Sequence, residues 1–529
     1  MKLRLNTFQG EIPRLYESML PEGAAQRALD VNHERGTIRA MRDDLAVHEA
    51  SPGSSADFYL HKGTDWLTFG DNVDVAPGPV ADDRLYITQE NGNPIIKDMG
   101  NGGAEYPLAI DAPLAPPIIS LNTSSGEETG EDVVFVYTWV TIFDEESLPS
   151  PPSSPLTVPE GSSIDISLVD SEPPFGRRIN RFRVYRSMTT ALGATELFFV
   201  KELNAGTSLY VHDPLIDHLQ ELLPTANYDP APDGLQGITS MNAGNMAAFK
   251  GKSLRFCEPY KPHAWPQQYE LLASNDIVGL VTFGNMLAVL TTGEPYIVQG
   301  TDPANMIMEK IEQNAPCLSK DGIVDLGYAA AYPSTDGVIT LSQSGAQNVT
   351  RGLFTRDEWR SFSPETISAG ALDGGYVFTC LPEGSFQRET AMISLNAQSP
   401  SYIRTSAAAE KMRFDIYTGN LHYIDAAGMI RELASTDAGF LSVEWQSAQF
   451  HLPTVTSFGV IVVEGDELDD PSGFLARVYR DGQLHTTITT LNEPARLAPG
   501  LGRRWSVKIE GKVEVSRVTL AGDVAEVWS

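Results

Sequence analysis

Apolar residues in this chain come in short runs closed by glycine, proline, asparagine or aspartate, with little 3.6-residue periodicity. Between Gly284 and Thr355, the runs Met286–Leu290, Tyr296–Val298 and Val338–Leu341 each stand between such turns. Gly, Asn and Asp supply the positive φ angles of tight hairpins, so the pattern predicts short antiparallel strands. The same rhythm predicts strands at Asp57–His61, Asp65–Phe69, Arg84–Thr88 and Pro94–Lys97, separated by Gly70-Asp71-Asn72, Pro77-Gly78-Pro79 and Asn91-Gly92-Asn93. It resumes at Ala247–Phe249, Leu254–Glu258 and Ile277–Phe283, and again at Tyr376–Cys380, Phe414–Tyr417, His422–Asp425 and Met429–Leu433. No strict period joins these hairpins, which excludes regular WD or kelch repeats and leaves an irregular propeller.

Residues 111–228 have a different texture. Leu114–Leu121 and Val133–Phe143 read as strands, the second alternating at Val134, Val136, Thr138, Val140 and Ile142. A Pro/Ser-rich stretch, LPSPPSSPLTVPEG, follows, then strands at Ser163–Leu168, Asn180–Ser187, Glu196–Leu203 and Thr207–Asp213. That spacing predicts a β-sandwich of the fibronectin type III kind, inserted between earlier and later propeller strands and projecting from the body. The expected organisation is an N-terminal arm at 1–45, first propeller or platform strands at 46–110, the insertion at 111–228, a propeller body at 229–435 and a C-terminal β-rich domain at 436–529. In the arm, Pro21-Glu22-Gly23 followed by AAQRALDV predicts a short amphipathic helix. Its apolar points Leu5, Phe8, Ile12, Leu15 and Leu20 are spaced for lying on a neighbouring molecule. The fold class is therefore all-β, with no helix longer than about four turns.

A chain of 529 residues exceeds one hydrophobic core, so two to four domains are expected. No apolar stretch is long enough to span a bilayer as a helix, and Asn6, Gln9 and Glu11 interrupt any secretory h-region. The 69 acidic and 38 basic residues leave a net charge of −31, which argues against phosphate-binding recognition of nucleic acid. The insertion contributes 17 acidic and 6 basic residues, so most of the excess lies elsewhere. The charge keeps the protein soluble, or keeps a nearby polyanion from sticking. Cys257, Cys317 and Cys380 are far apart and odd in number, so they are expected to be free and structural.

The candidate chemistry is thin. Lys250-Gly251-Lys252-Ser253 ends like a phosphate-binding loop, but Met246 stands where the first glycine belongs and no apolar helix follows. Gly100–Gly103 lacks the flanking strand and helix of a dinucleotide site. The run from Glu464 to Asp470 has clustered oxygens but no spaced calcium loop, and reads as a solvated turn. Tyr260, Trp265 and Tyr269 offer a sugar-stacking surface, although plugging a gap between β-units is the simpler use. Paired carboxylates for glycoside hydrolysis depend on spatial separation and are not legible here. No catalytic residue, cofactor or metal is expected.

FQGEIPRLYESMLPEGAAQRALDVNHERGTIRAMR, DFYLHKGTDWLTFGDNVDVAPGPVADDRLYITQENGNPIIKD, LAVLTTGEPYIVQGTDPANM and AAYPSTDGVITLSQSGAQNVTRGLFTRDEWRSFSPE are the segments that carry a family likeness. Over most of residues 1–435 the chain resembles the tail nozzle, or tail tubular, proteins of short-tailed bacteriophages (podoviruses). The resemblance implies a structural virion protein: a propeller body with an attached platform, in a homo-oligomeric ring, most often a hexamer, around the DNA exit channel. It implies as partners the tail adaptor or connector and tail fibres or a tail needle, with DNA passing transiently and unbound. The implied location is the virion tail after synthesis in the host cytoplasm. The alternative from another class is a carbohydrate-active or carbohydrate-binding propeller with a fibronectin-like module.

Overall fold

The computed structural model describes residues 2–123, 130–173, 176–189, 195–213, 221–395 and 401–528. The chain is all-β, and the longest helix among the described residues is the six-residue Arg356–Ser361. Its centre is a ring of small antiparallel sheets, each a meander whose first strand lies innermost. Asp57–His61 and Asp65–Phe69 form a two-stranded hairpin. Val73–Pro77 opens a four-stranded blade that ends at Ala104–Pro107. Gln236–Ser240, Ile277–Phe283 and Val324–Asp325 open the next three four-stranded sheets. Ser368–Leu372 opens a blade ending at Ser401–Thr405. Lys411–Phe414 opens the last blade, whose outer strand, Leu45–Glu49, comes from far upstream and pairs with Met429–Glu432. That pairing ties the ring shut with strands separated by almost the whole propeller sequence.

The inner strands must pack closely. A Cβ on Gly279 would lie 2.3 Å from Cδ1 of Ile323 in the next blade, so any side chain there would have to displace the end of that isoleucine.

The two chain ends form a second body. Ala25–Leu29 lies between Ser401–Thr405 of the propeller and Val443–Ser447, and Gly502–Gly511, Leu475–Arg480 and Gln483–Ile488 continue the same sheet. Val513–Ala521 pairs with Leu3–Leu5, Ile38–Ala40 and Val460–Glu467 in a facing sheet. One core fills the space between them, with Leu5, Phe8, Ala28, Trp445, Phe458 and Trp505 buried. We call this body the platform.

Two expectations for the N-terminal segment are corrected here. AAQRALDV is a strand, Ala25–Leu29, and not a helix. The small residues Ala24, Ala25 and Ala28 are buried where the sheet from the propeller passes into the platform, and that pairing overrides alanine's helical preference. Leu5 and Phe8 do not lie open for a neighbour, because both are in the platform core and Phe8 meets Trp445 edge to face at 5.2 Å.

Residues 118–212 hold three small sheets around Phe135, Tyr137, Trp139, Ile164, Ile166 and Phe182. The Pro/Ser stretch works as a seam. Ser147, Ser150 and Ser153 each donate a backbone N–H to Trp139, Tyr137 and Phe135 in turn, and each hydroxyl accepts the N–H of that same residue. Serines at every third position thus complete one edge of a strand whose prolines cannot donate. The insert leans on the second propeller blade through Arg84, which sits 3.9 Å over the Phe143 ring, and through Arg178, which donates to the Tyr106 hydroxyl at 3.2 Å. Arg177 joins Glu145 at 2.6 Å beneath that contact, both of them buried. Burial, then the nearby Arg177 and Lys261, hold the His263 imidazole at about 3, so it stays neutral there.

All three cysteines are free and buried. Burial pushes the Cys257 and Cys380 thiols up to about 12, and Cys317 higher still. Native protein at neutral pH is therefore expected to leave all three unmodified by a thiol-reactive chromophore over minutes, with full reaction only in denaturant. Rapid native labelling of any one of them would contradict this packing.

Candidate functional site: the axial cavity

The inner strands of all seven sheets face a common axis and enclose a cavity of about 770 Å³. Its two ends differ in chemistry, because the inner strands all begin at one end and turn back at the other.

At the beginning end, the strand starts meet in a charged lattice. Asp57, fully buried, accepts from Arg413 Nε at 2.6 Å and from Arg413 Nη2 at 2.5 Å. It also accepts the backbone N–H of Phe58 and of Val73 at 2.8 and 3.0 Å. Lys411 Nζ sits 2.8 Å from Asp57 and 3.0 Å from Asp321, and donates to Asn72 Oδ1 at 2.8 Å. Beside them, Asp74 takes Lys320 at 2.7 Å and the Gly237 N–H at 2.9 Å. Ser368 Oγ accepts the Met412 N–H at 2.9 Å. Six of the seven sheets are cross-linked this way, four by charged side chains at or just before their inner strands, and those opened by Gln236 and Ser368 through the Gly237 N–H and the Ser368 hydroxyl.

Burial pushes the Asp57 carboxyl up, but the Arg413 and Lys411 cations outweigh it and hold it at about 2. Burial likewise works against the charge on Arg413, and Asp57, with help from Asp74 and Asp321, raises it above its usual value. Asp57 and Arg413 thus both stay charged at neutral pH. The cations of the lattice are spent on protein carboxylates, so this end is built for holding strands together.

At the turning end, the loops after the inner strands carry Asp325, Asp373 and Asp415 with Tyr328, Phe414, Ile416 and Tyr417. None of these three carboxylates makes an ion pair among the described residues. Partial burial and then the Glu34 carboxylate, from a platform turn, push the Asp373 carboxyl up. Asp415 is anchored by Thr418, whose N–H and hydroxyl both donate to its Oδ2. Lys62 lies beyond this rim and is taken by Asp83 at 2.6 Å.

The motifs weighed from sequence lie elsewhere. Lys250–Ser253 is a hairpin turn whose lysines donate to the Asp233 and Ser274 carbonyls. Gly100–Gly103 links two strands of one blade. Glu464 pairs with Arg517 and Asp469 with Lys512, and no His/Cys/Asp/Glu group suited to a metal occurs among the described residues. Trp265 is fully buried, with its indole N–H on the Pro262 carbonyl, while Tyr260 is exposed and Tyr269 donates to Glu258, so the three present no common stacking face. The axial residues were missed because each stands alone in sequence. An acidic or basic residue at the start of an inner strand was the only available signal.

No protein-family model matches this chain, and no curated sequence matches it. Among solved structures it is similar to Sqt1 of Saccharomyces cerevisiae, at 8% identity and a TM-score of 0.33, covering 74% of this chain and 99% of that one. It is similar also to the Pan2 WD40 domain of Neurospora crassa, at 9% identity and a TM-score of 0.30, covering 70% of this chain and 91% of that one.

Proposed function

We propose that the protein is a structural subunit of a short-tailed phage tail, a nozzle-type component that extends the connector as a closed ring and lets DNA pass without holding it. One observation carries the reading: the chain has a propeller and a platform joined by a single continuous sheet, built from both chain ends. That pairing of bodies is the one the family resemblance implies. A continuous sheet is a stiff connection, because flexing it breaks ladder hydrogen bonds, and stiffness suits a subunit that bears load in a ring. The net charge of −31 supports the same reading, since a lumen poor in free cations does not retain phosphates. The platform and propeller would contact the connector above and tail fibres or a needle at the periphery.

Cryo-electron microscopy of purified tails tests this. A ring with a central channel, most simply sixfold, is the expected result. A single copy per particle, or a trimeric fibre at the tail edge, would overturn it.

A further inference from the structure

The turning end of the propeller axis combines an open cavity with apolar side chains that none of the described residues covers. Tyr328 is 66% exposed and Ile416 79% exposed, with Phe414 and Tyr417 also open. Asp325, Asp373 and Asp415 stand among them without an ion pair among the described residues, and Glu34 adds to the negative field. An apolar rim with unpaired carboxylates calls for a ligand that is cationic and apolar together.

The platform carries a tip of that chemistry. Arg480 ends the strand Leu475–Arg480 and lies along Gly500 and Gly502, where any side chain would overlap it. Arg503 and Arg504 follow, their N–H groups donating to Asp481 at 3.2 and 3.0 Å. Arg504 Nε lies 3.8 Å from the Asp481 carboxylate, while Arg480 and Arg503 make no ion pair among the described residues, in a chain that is strongly acidic overall. Leu501 and Leu484 stand beside them, 68% and 55% exposed.

No ion pair joins the tip to the mouth of the same molecule among the described residues. The axial strand Ser368–Leu372 and the edge strand Gln483–Ile488 are the two ends of one nine-strand path through the shared sheet. Eight strand spacings amount to about 38 Å. Placed at opposite ends of that sheet, the two surfaces are left unpaired within the molecule and available to another copy.

We propose that the acidic, aromatic-rimmed mouth of the propeller axis receives the Arg480–Leu501–Arg503 tip of the platform of the next copy. The contact is head-to-tail, so it closes into a ring or runs on as a filament, depending on the rotation per step. It deepens the nozzle reading and rests on it. Because charge attraction carries much of the contact, it weakens as salt rises.

The test uses full-length protein with Arg503→Lys, which keeps the charge and supplies an amine. Isotope-labelled and unlabelled copies are mixed at low salt, and a carbodiimide joins touching amines and carboxylates without a spacer. Mixed-label peptides joining position 503 to Asp325 or Asp373 are expected, with a ladder of oligomers that fades in 1 M salt. The ladder should be lost in Asp325→Asn/Asp373→Asn, whose melting temperature should match that of the parent. No mixed-label product, or products joining the mouth to other positions or to added connector protein, would overturn the proposal.

Failure of the nozzle reading is separable. Rings in tails assembled with Asp325→Arg/Asp373→Arg would overturn the inference and leave that reading standing. Absence of any ring in wild-type tails would remove the reading itself. A ring abolished by these reversals and restored by adding Arg480→Glu/Arg503→Glu supports both.

Discussion

Asp57→Ala is expected to lower the unfolding free energy by about 3–5 kcal/mol, the largest effect of any single side chain considered. Asp57 has no exposed surface, and its two oxygens hold Arg413, Lys411 and two backbone N–H groups from separate sheets. Without it, two cations face each other at the start of the axis with only Asp321 left to Lys411. Urea denaturation at pH 7 measures the loss. A change below about 1 kcal/mol would mean that water replaces the carboxylate freely.

The same group sets an acid dependence. Its folded pKa, about 2, lies below the ordinary 3.8, so ionised Asp57 favours the folded state. That contribution is complete above about pH 4, shrinks as pH falls from 4 towards 2, and amounts to about 2 kcal/mol. Asp57→Ala should remove this share of the pH dependence, so wild type and variant should converge as pH falls through that window. Parallel curves down to pH 2 would contradict the assignment.

Deleting residues 1–29 is expected to be more damaging still, although a terminal arm suggests a dispensable segment. The deletion takes Leu5, Phe8, Ala25 and Ala28 out of the platform core. It also removes the strand that joins Ser401–Thr405 to Val443–Ser447, leaving two unsatisfied sheet edges. Glu11 goes too, and with it the carboxylate partner of Arg404. The product should be insoluble, or should lose residues from about 440 onward to limited proteolysis while the propeller resists. A soluble variant with a protease-resistant C-terminal region would show that the platform folds without its N-terminal strands.

Short apolar runs between Gly, Asn, Asp and Pro determined the all-β class and most hairpins, because strand alternation and positive-φ turns are local properties. Gly419-Asn420 and Ala427-Gly428 mark real turns between Lys411–Phe414, Leu421–Ile424 and Met429–Glu432. Composition also determined the net charge, and spacing made a disulfide framework unlikely for the three cysteines. The fate of Ala25–Leu29 was not legible, since an alanine-rich segment is a good helix until a sheet on each side claims its N–H and C=O groups. The closing of the last blade by Leu45–Glu49 was hidden for the same reason: strand partners some 380 residues apart leave no periodic trace. Nothing local in the sequence marks Asp57, Lys411 and Arg413, and only the convergence of seven inner strands on one axis put them within reach of each other. Local chemistry chose the strands. Long-range pairing chose which edges met, and so which charges became buried.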